Sequence, residues 1–270
     1  MSIDYNETIT VIKDFIKRYL KNAGSKSLVI GLSGGIDSAV TAILCKQTIG
    51  KENTKCVFLP DDTTPEIDKK HQKILVKKYD LNCKTKNITK LVKNVEENSL
   101  IKPDTMALAN IKARIRMVLL YEYANVTQSL VCGTSNKSEI LIGYYTKYGD
   151  GGVDIMPIGD LYKTQIYELA KKLKLPKEII KKPPRAGLMK NQKDEDELKL
   201  DYYQIDKILR GLEEKEEISK IAESNNVNIK EIKKIRNMRI KTQHKRRTPL
   251  IPKIGLRTPG LDWRSPVQEG

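Results

Sequence analysis

The sequence predicts an α/β fold: an open parallel sheet with helices on both faces. Three features carry that prediction. Leu28-Val29-Ile30-Gly31-Leu32 is apolar and partly β-branched, so it reads as a buried strand. It breaks at Ser33-Gly34-Gly35, and Ala39, Val40, Ala42, Ile43 and Leu44 then follow a helical pattern. Beyond this unit, further strands at Lys55–Leu59, near Cys83–Ile88 and at Ser129–Gly133 alternate with helical segments. Strands separated by helices of ten or more residues read as βαβ units, which impose parallel pairing.

The elements follow in order. Ile3, Ile9, Ile12, Phe15, Ile16 and Tyr19 recur at helical spacing, so an amphipathic helix over 3–21 precedes the first strand. The second strand ends in Pro60-Asp61-Asp62-Thr63-Thr64, a turn expected beside the glycine loop, and a helix over about 65–79 follows. That helix carries His71, a lone histidine that reads as a surface residue. Thr105–Val126 is the longest helical pattern, readable as a core helix or as a dimer seam. Its Arg114 and Arg116 point about 200° apart, so both are not expected on one ligand. Thr134 to Glu139 reads as a polar turn at the end of the fourth strand. Gly149-Asp150-Gly151-Gly152 reads as a loop, and Lys163 opens a helix through about Lys174. A lysine in a first helical turn opposes the macrodipole, so an anionic neighbour is expected there. Residues 183–197 read as a mobile connector. Two or three amphipathic helices over 201–241 are expected on the outside of the sheet, before an irregular, proline-rich tail.

Composition bounds the chemistry. A chain of 270 residues can bury one substantial core. It contains no run of about eighteen apolar residues, so no membrane span is predicted. The polar start MSIDYNETIT is unlike a signal peptide, and Cys45, Cys56, Cys83 and Cys132 form no CxxC pair. A reduced, cytoplasmic setting follows. The formal charge is +16, but most lysines alternate with glutamates, as on a solvated surface. Only Arg239–Lys253 stands apart, with six basic residues and no acidic one.

A strand, a glycine turn and a helix aim backbone N–H groups and the positive end of the helix at one point, which suits phosphate. The loop lacks the Gly-Lys-Ser/Thr ending of a Walker A motif and the spacing of G-x-G-x-x-G. Ser33-Gly34-Gly35-Ile36-Asp37-Ser38 instead resembles the SGGxDS loop of the ATP pyrophosphatase superfamily, whose members cleave ATP between its α and β phosphates. Asp37 offers a hard oxygen ligand for the accompanying magnesium.

With SGGIDSA, NIKARIRM, GTSNKSE, TKYGDGGVDIMPIGDLYKTQ, PPRAGL followed by DEDEL, and HKRRTP in this order, the chain resembles the ammonia-dependent NAD synthetases. The resemblance spans about residues 25–250 and implies a Rossmann-like fold of the adenine-nucleotide α-hydrolase type. One domain is expected over 1–270, with a core to about 180, a helical part over 181–270 and no glutaminase domain. The resemblance implies an ATP loop of Gly31, Leu32, Ser33, Gly34, Gly35, Ile36, Asp37 and Ser38, joined by Thr134 and Lys163. Asp37 and Glu139 would hold Mg2+. Arg114, Lys147, Asp154, His244 and Lys245 would bind deamido-NAD, and Asp154 would orient the pyridine or take a proton from ammonia. Arg185 stands where family members commonly carry a small hydroxyl residue near ATP; an arginine there could instead reach a phosphate. The implied partners are deamido-NAD, ATP, ammonia and a second copy of the chain, with no nucleic acid. The rivals are an ATP pyrophosphatase acting on tRNA, a synthetase fed by its own glutaminase, and a nucleotide sensor that does not turn over.

Overall fold

The structure, a computed structural model, describes residues 3–184 and 198–259. Four parallel strands lie in the order β3-β2-β1-β4: β1 (Leu28–Gly31), β2 (Thr54–Phe58), β3 (Asn82–Thr85) and β4 (Leu130–Cys132). Leu28 is in register with Thr54 on one side and Leu130 on the other. Strand order reverses at β1, so a crevice opens between the carboxyl ends of β1 and β4, the usual ligand position in such sheets.

Alternation along β1 assigns its two faces. Leu28 and Ile30 share one core with Leu32, with Ile12, Ile16 and Leu20 of α1 (Tyr5–Asn22), and with most of α2 (Ile36–Ile49). That core also takes Leu75 of α3 (Glu66–Tyr79) and Ile166 and Leu169 of α7 (Lys163–Lys172). Val29, Val57, Leu59 and Val131 pack on the opposite face with Val92 of α4 (Thr89–Glu97) and Ala124 of α5 (Thr105–Val126). Both faces of the sheet are therefore covered.

Several expectations need correction. The third strand stops at Thr85; beyond it Lys86 and Ile88 still donate backbone hydrogen bonds to Phe58 and Pro60. Helix α4, which the sequence reading omits, is set off by Asn87, whose side chain accepts from the Thr89 amide at 2.9 Å. The polar turn after β4 tightens into α6 (Lys137–Ile142), closed by a capping box in which Asn136 and Glu139 bond each other's backbone. α7 is followed by the short α8 (Lys177–Ile180).

Among the described residues, the two or three helices expected over 201–241 are three: α9 (Tyr202–Glu213), α10 (Ile218–Asn225) and α11 (Ile229–Lys241). They do not lie on the sheet, whose faces are already filled. They form their own core around Tyr202, Ile205, Ile208, Ile221, Ile232 and Ile235, joined by Ile142 and Tyr162 from α6 and the start of α7. The connector and its Arg185 lie outside the described residues, apart from Pro183 and Pro184.

His71 is not on the surface. It is 1% exposed, because α3 turns that side toward the 178–182 segment, where Lys182 ion-pairs with Asp68 and Glu178 stands 4.0 Å from His71 Nε2. Neither ring nitrogen has a hydrogen-bond partner among the described residues.

Candidate active site

The crevice between β1 and β4 holds a cleft of about 270 Å³, bounded by the glycine loop, Val57 to Leu59, Thr134, Glu139, Lys163, Arg116, Lys182, Gly149, Asp150, Gly152 and Val153. The loop is shaped by its own hydroxyls. Ser38 Oγ accepts the Ser33 amide at 3.2 Å, lies 3.0 Å from Ser33 Oγ and donates to the Gly35 carbonyl at 3.1 Å. Gly34 has φ +80°, and a Cβ built on it would sit 2.5 Å from the Asp68 carbonyl oxygen, so no side chain fits where α3 crosses the loop. Gly35 stands at the cap position of α2 and offers no side chain, which leaves the positive end of the helix directed at the cleft.

The charged centre is a lysine held by two carboxylates. Lys163 Nζ lies 2.5 Å from Asp37 Oδ2 and 3.2 Å from Glu139 Oε1, and its side chain is 3% exposed. The anionic neighbour expected for this first-turn lysine is thus supplied by the protein itself. Burial opposes the ammonium, but Asp37 and Glu139 outweigh it and hold its pKa above the ordinary lysine value. Asn136 fixes the other oxygen, donating from Nδ2 to Asp37 Oδ1 at 3.0 Å. Two carboxylates from different elements, converging on one cation, form a hard-oxygen pair of the kind Mg2+ takes alongside phosphate and water. The ammonium between them demonstrates that the position accepts positive charge.

The sequence reading misses a second charged group, buried behind the cleft and reaching its wall only at Arg116. Asp61, buried at the end of the β2 turn, receives Lys112 at 3.2 Å and Arg116 at 3.3 Å. Thr63 donates to it from both its amide and its hydroxyl. Burial works against the Asp61 charge, yet Thr63, Arg116 and Lys112 together lower its pKa. Arg116 also donates from Nε to the Leu59 carbonyl at 3.0 Å. As the helical geometry predicts, Arg114 points elsewhere: it is exposed and donates to the Lys147 carbonyl at 3.4 Å. The spacing in α5 separates these arginines; only the fold reveals that Arg116 is the one on the cleft.

The remaining predicted residues lie apart from Lys163. Asp154 does not line the cleft. Its Oδ2 accepts the Val131 amide at 2.7 Å and its Oδ1 accepts the Tyr121 hydroxyl at 3.0 Å, which clasps β4 to α5. Lys245 Nζ donates to the Gly143 and Tyr145 carbonyls at 2.7 and 2.6 Å, and its neighbour His244 is exposed. Arg246, which the sequence reading does not single out, donates to the Ile140 and Leu141 carbonyls at the end of α6. The tail is therefore seated against the helix that carries Glu139.

Fold and cleft together define an α/β protein of the doubly wound parallel class, with its ligand crevice at the reversal of strand order. Comparison with known proteins narrows this class. The family model described as NAD synthase matches residues 8–249, and the chain belongs to that family. It is 39% identical to the NH(3)-dependent NAD(+) synthetase of Methanosarcina acetivorans over 257 residues, covering 93% of this chain and 100% of that protein. To its counterpart from Thermoplasma volcanium it is 42% identical over 246 residues, covering 91% and 97%. Among solved structures, an NMN synthetase from Francisella tularensis superposes with a TM-score of 0.84 at 32% identity, covering 94% of this chain and all of that one. An NH3-dependent NAD synthetase from Campylobacter jejuni gives 0.79 at 34% identity, covering 93% and 100%.

Proposed function

We propose that this chain amidates deamido-NAD to NAD with ammonia, using ATP and Mg2+ and releasing AMP and pyrophosphate through an adenylated intermediate. The observation that carries the reading is the convergence of Asp37, Glu139 and Lys163 at the glycine loop. Near full-length similarity to ammonia-dependent NAD synthetases supports it.

In this mechanism the loop from Gly31 to Ser38, with Thr134, receives ATP. Its amides and the start of α2 orient the phosphates. Lys163 offsets phosphate charge while the nicotinate carboxylate approaches the α-phosphorus. Asp37 and Glu139 would hold Mg2+, which when bound neutralises charge on the leaving pyrophosphate. Arg114, Lys147, His244 and Lys245 contact deamido-NAD. Asp154 orients the pyridine or takes a proton from ammonia, and Asp154→Ala separates the two roles. No protein nucleophile is required: positioning and electrostatics dominate. The residues over 1–270 act as one synthetase domain in the cytoplasm, as a homodimer fed by free ammonia and without a nucleic-acid partner. Arg185 belongs to the ATP side in this reading.

The test is a turnover assay with deamido-NAD, ATP, magnesium and ammonium, followed by coupled reduction of NAD. NAD formed with AMP and pyrophosphate, and no product from glutamine alone, is the expected result. Because the Francisella neighbour is an NMN synthetase, nicotinate mononucleotide is run in parallel. A higher kcat/KM for the mononucleotide would replace the dinucleotide as substrate. Pyrophosphate exchange stimulated only by tRNA would overturn both.

A further inference from the structure

The C-terminal helices meet the charged centre of the cleft at Tyr202, whose ring centre lies 5.3 Å from Lys163 Nζ, and through a buried carboxylate behind it. Asp206 of α9 is 1% exposed. Its Oδ1 accepts the Ser138 hydroxyl, and its Oδ2 accepts the Thr164 amide at 2.8 Å. Ser138 Oγ in turn accepts the Lys163 amide at 2.9 Å. The opening amides of α7 are thus capped from two other helices. The residue at the cap position itself, Tyr162, sends its hydroxyl instead to Glu213 at 2.7 Å.

A cap supplied by a local serine or aspartate would leave its oxygen near solvent at little cost. A carboxylate buried across a module boundary must overcome desolvation. Here that burial pushes the Asp206 pKa up, and the hydrogen bonds from Ser138 and Thr164 oppose the rise. The two residues it holds are the immediate neighbours of the two that meet in the cleft: Ser138 precedes Glu139 and Thr164 follows Lys163.

We infer that Asp206 is a positioning residue for the reaction: its grip on Ser138 and Thr164 fixes the backbones from which Glu139 and Lys163 converge on Asp37. This rests on the reading above, in which Lys163 and Glu139 serve ATP. The C-terminal helices then contribute to chemistry without touching substrate, and the approach of Lys163 to its two carboxylates depends on a residue far from the phosphate loop in sequence.

The experiment compares the full chain with Asp206→Asn, Asp206→Ala and Ser138→Ala. Asparagine keeps the shape while removing the charge, and Ser138→Ala removes the hydroxyl that joins Asp206 to the Lys163 amide while leaving the Asp206–Thr164 bond in place. The expected result is a fall in kcat of about 10–100-fold, the usual range for residues that orient catalytic groups, with KM for deamido-NAD unchanged. Affinity for magnesium-ATP, measured by calorimetry, falls in the same variants. Adding Asp206→Asn to Lys163→Gln then gives a smaller further loss of that affinity than Asp206→Asn causes in wild type, because the part that acts through Lys163 is already gone and only the part through Glu139 remains. Asp206→Asn and Ser138→Ala variants that melt earlier but keep wild-type kcat and ATP affinity below their melting temperatures would make Asp206 a fold residue and overturn the inference. If all Asp206 variants fail to fold, Ser138→Ala decides alone. Should wild type make no NAD, the functional reading fails, and the calorimetric comparison still decides whether Asp206 positions Lys163.

Discussion

The two sides of the proposed reaction are built differently. On the ATP side, Asp37, Glu139 and Lys163 come from three elements and meet within 3.2 Å, with the lysine almost wholly buried. On the deamido-NAD side, Arg114 and His244 are exposed, and Arg114 and Lys245 bond backbone carbonyls rather than acidic side chains. A buried charge must be paired by the protein before any ligand arrives. An exposed charge is satisfied by water and needs no partner. The first side is therefore preorganised, and the second is a surface whose geometry the substrate completes.

Breaking the preorganised side should have the largest effect. Lys163→Ala leaves two carboxylates facing each other across the cleft, and turnover should fall about 10²–10³-fold, the range for loss of a preorganised electrostatic group. NAD formation at saturating substrates measures it, and near-normal turnover would mean the buried trio is a structural ion pair only.

Asp154→Ala sharpens the contrast between holding the fold and handling the proton. The buried Val131 amide loses its carboxylate, so stability should drop by about 1–3 kcal/mol, read from urea unfolding. If kcat also collapses at temperatures where the variant is folded, Asp154 takes part in the ammonia step. If kcat is retained, its role is to clasp β4.

Arg114→Ala tests the open side. Loss of one charge-assisted contact should raise KM for deamido-NAD about tenfold. Stability should stay within about 0.5 kcal/mol, because the side chain is exposed. An unfolding midpoint that shifts as far as it does for Asp154→Ala would erase the distinction between the two sides.

The smallest effect concerns His71. Burial, and then the Lys182 charge, lower its pKa in the folded chain. The unfolded chain binds a proton as pH drops through about 6.5 while the folded chain does not, so stability declines from there toward the lowered folded value. Unfolding free energies at pH 7.5 and 5.5 should therefore differ less in His71→Leu than in wild type. An identical difference would mean that His71 takes its proton inside the fold, with Glu178 as partner.

Much of this is legible in the sequence. The β1–loop–α2 unit is readable because its strand is uniformly apolar and its loop pairs glycines with serines at fixed offsets. The odd placement of Lys163 announced an anionic neighbour, though not that the neighbours would be Asp37 and Glu139. Helix α6 is too short for periodicity, but its Asn136–Glu139 capping box was a missed signal. His71 carried no signal, because one polar residue on a polar helix is buried or exposed according to what packs over it.

By itself, then, the sequence determined the local chemistry: strand and helix periods, the turn that only glycine permits at Gly34, and the residue types able to meet phosphate and metal. These depend on neighbours within a few positions, where backbone sterics and side-chain period act directly. Only the tertiary structure decided which charges face one another. It put Arg116 rather than Arg114 on the cleft, folded the C-terminal helices onto α6 and α7, and set Asp206 beneath Ser138 and Thr164. Such pairings join residues far apart in sequence, and they are selected by the cost of leaving a buried charge or amide alone. That cost exists only once the chain has closed around them.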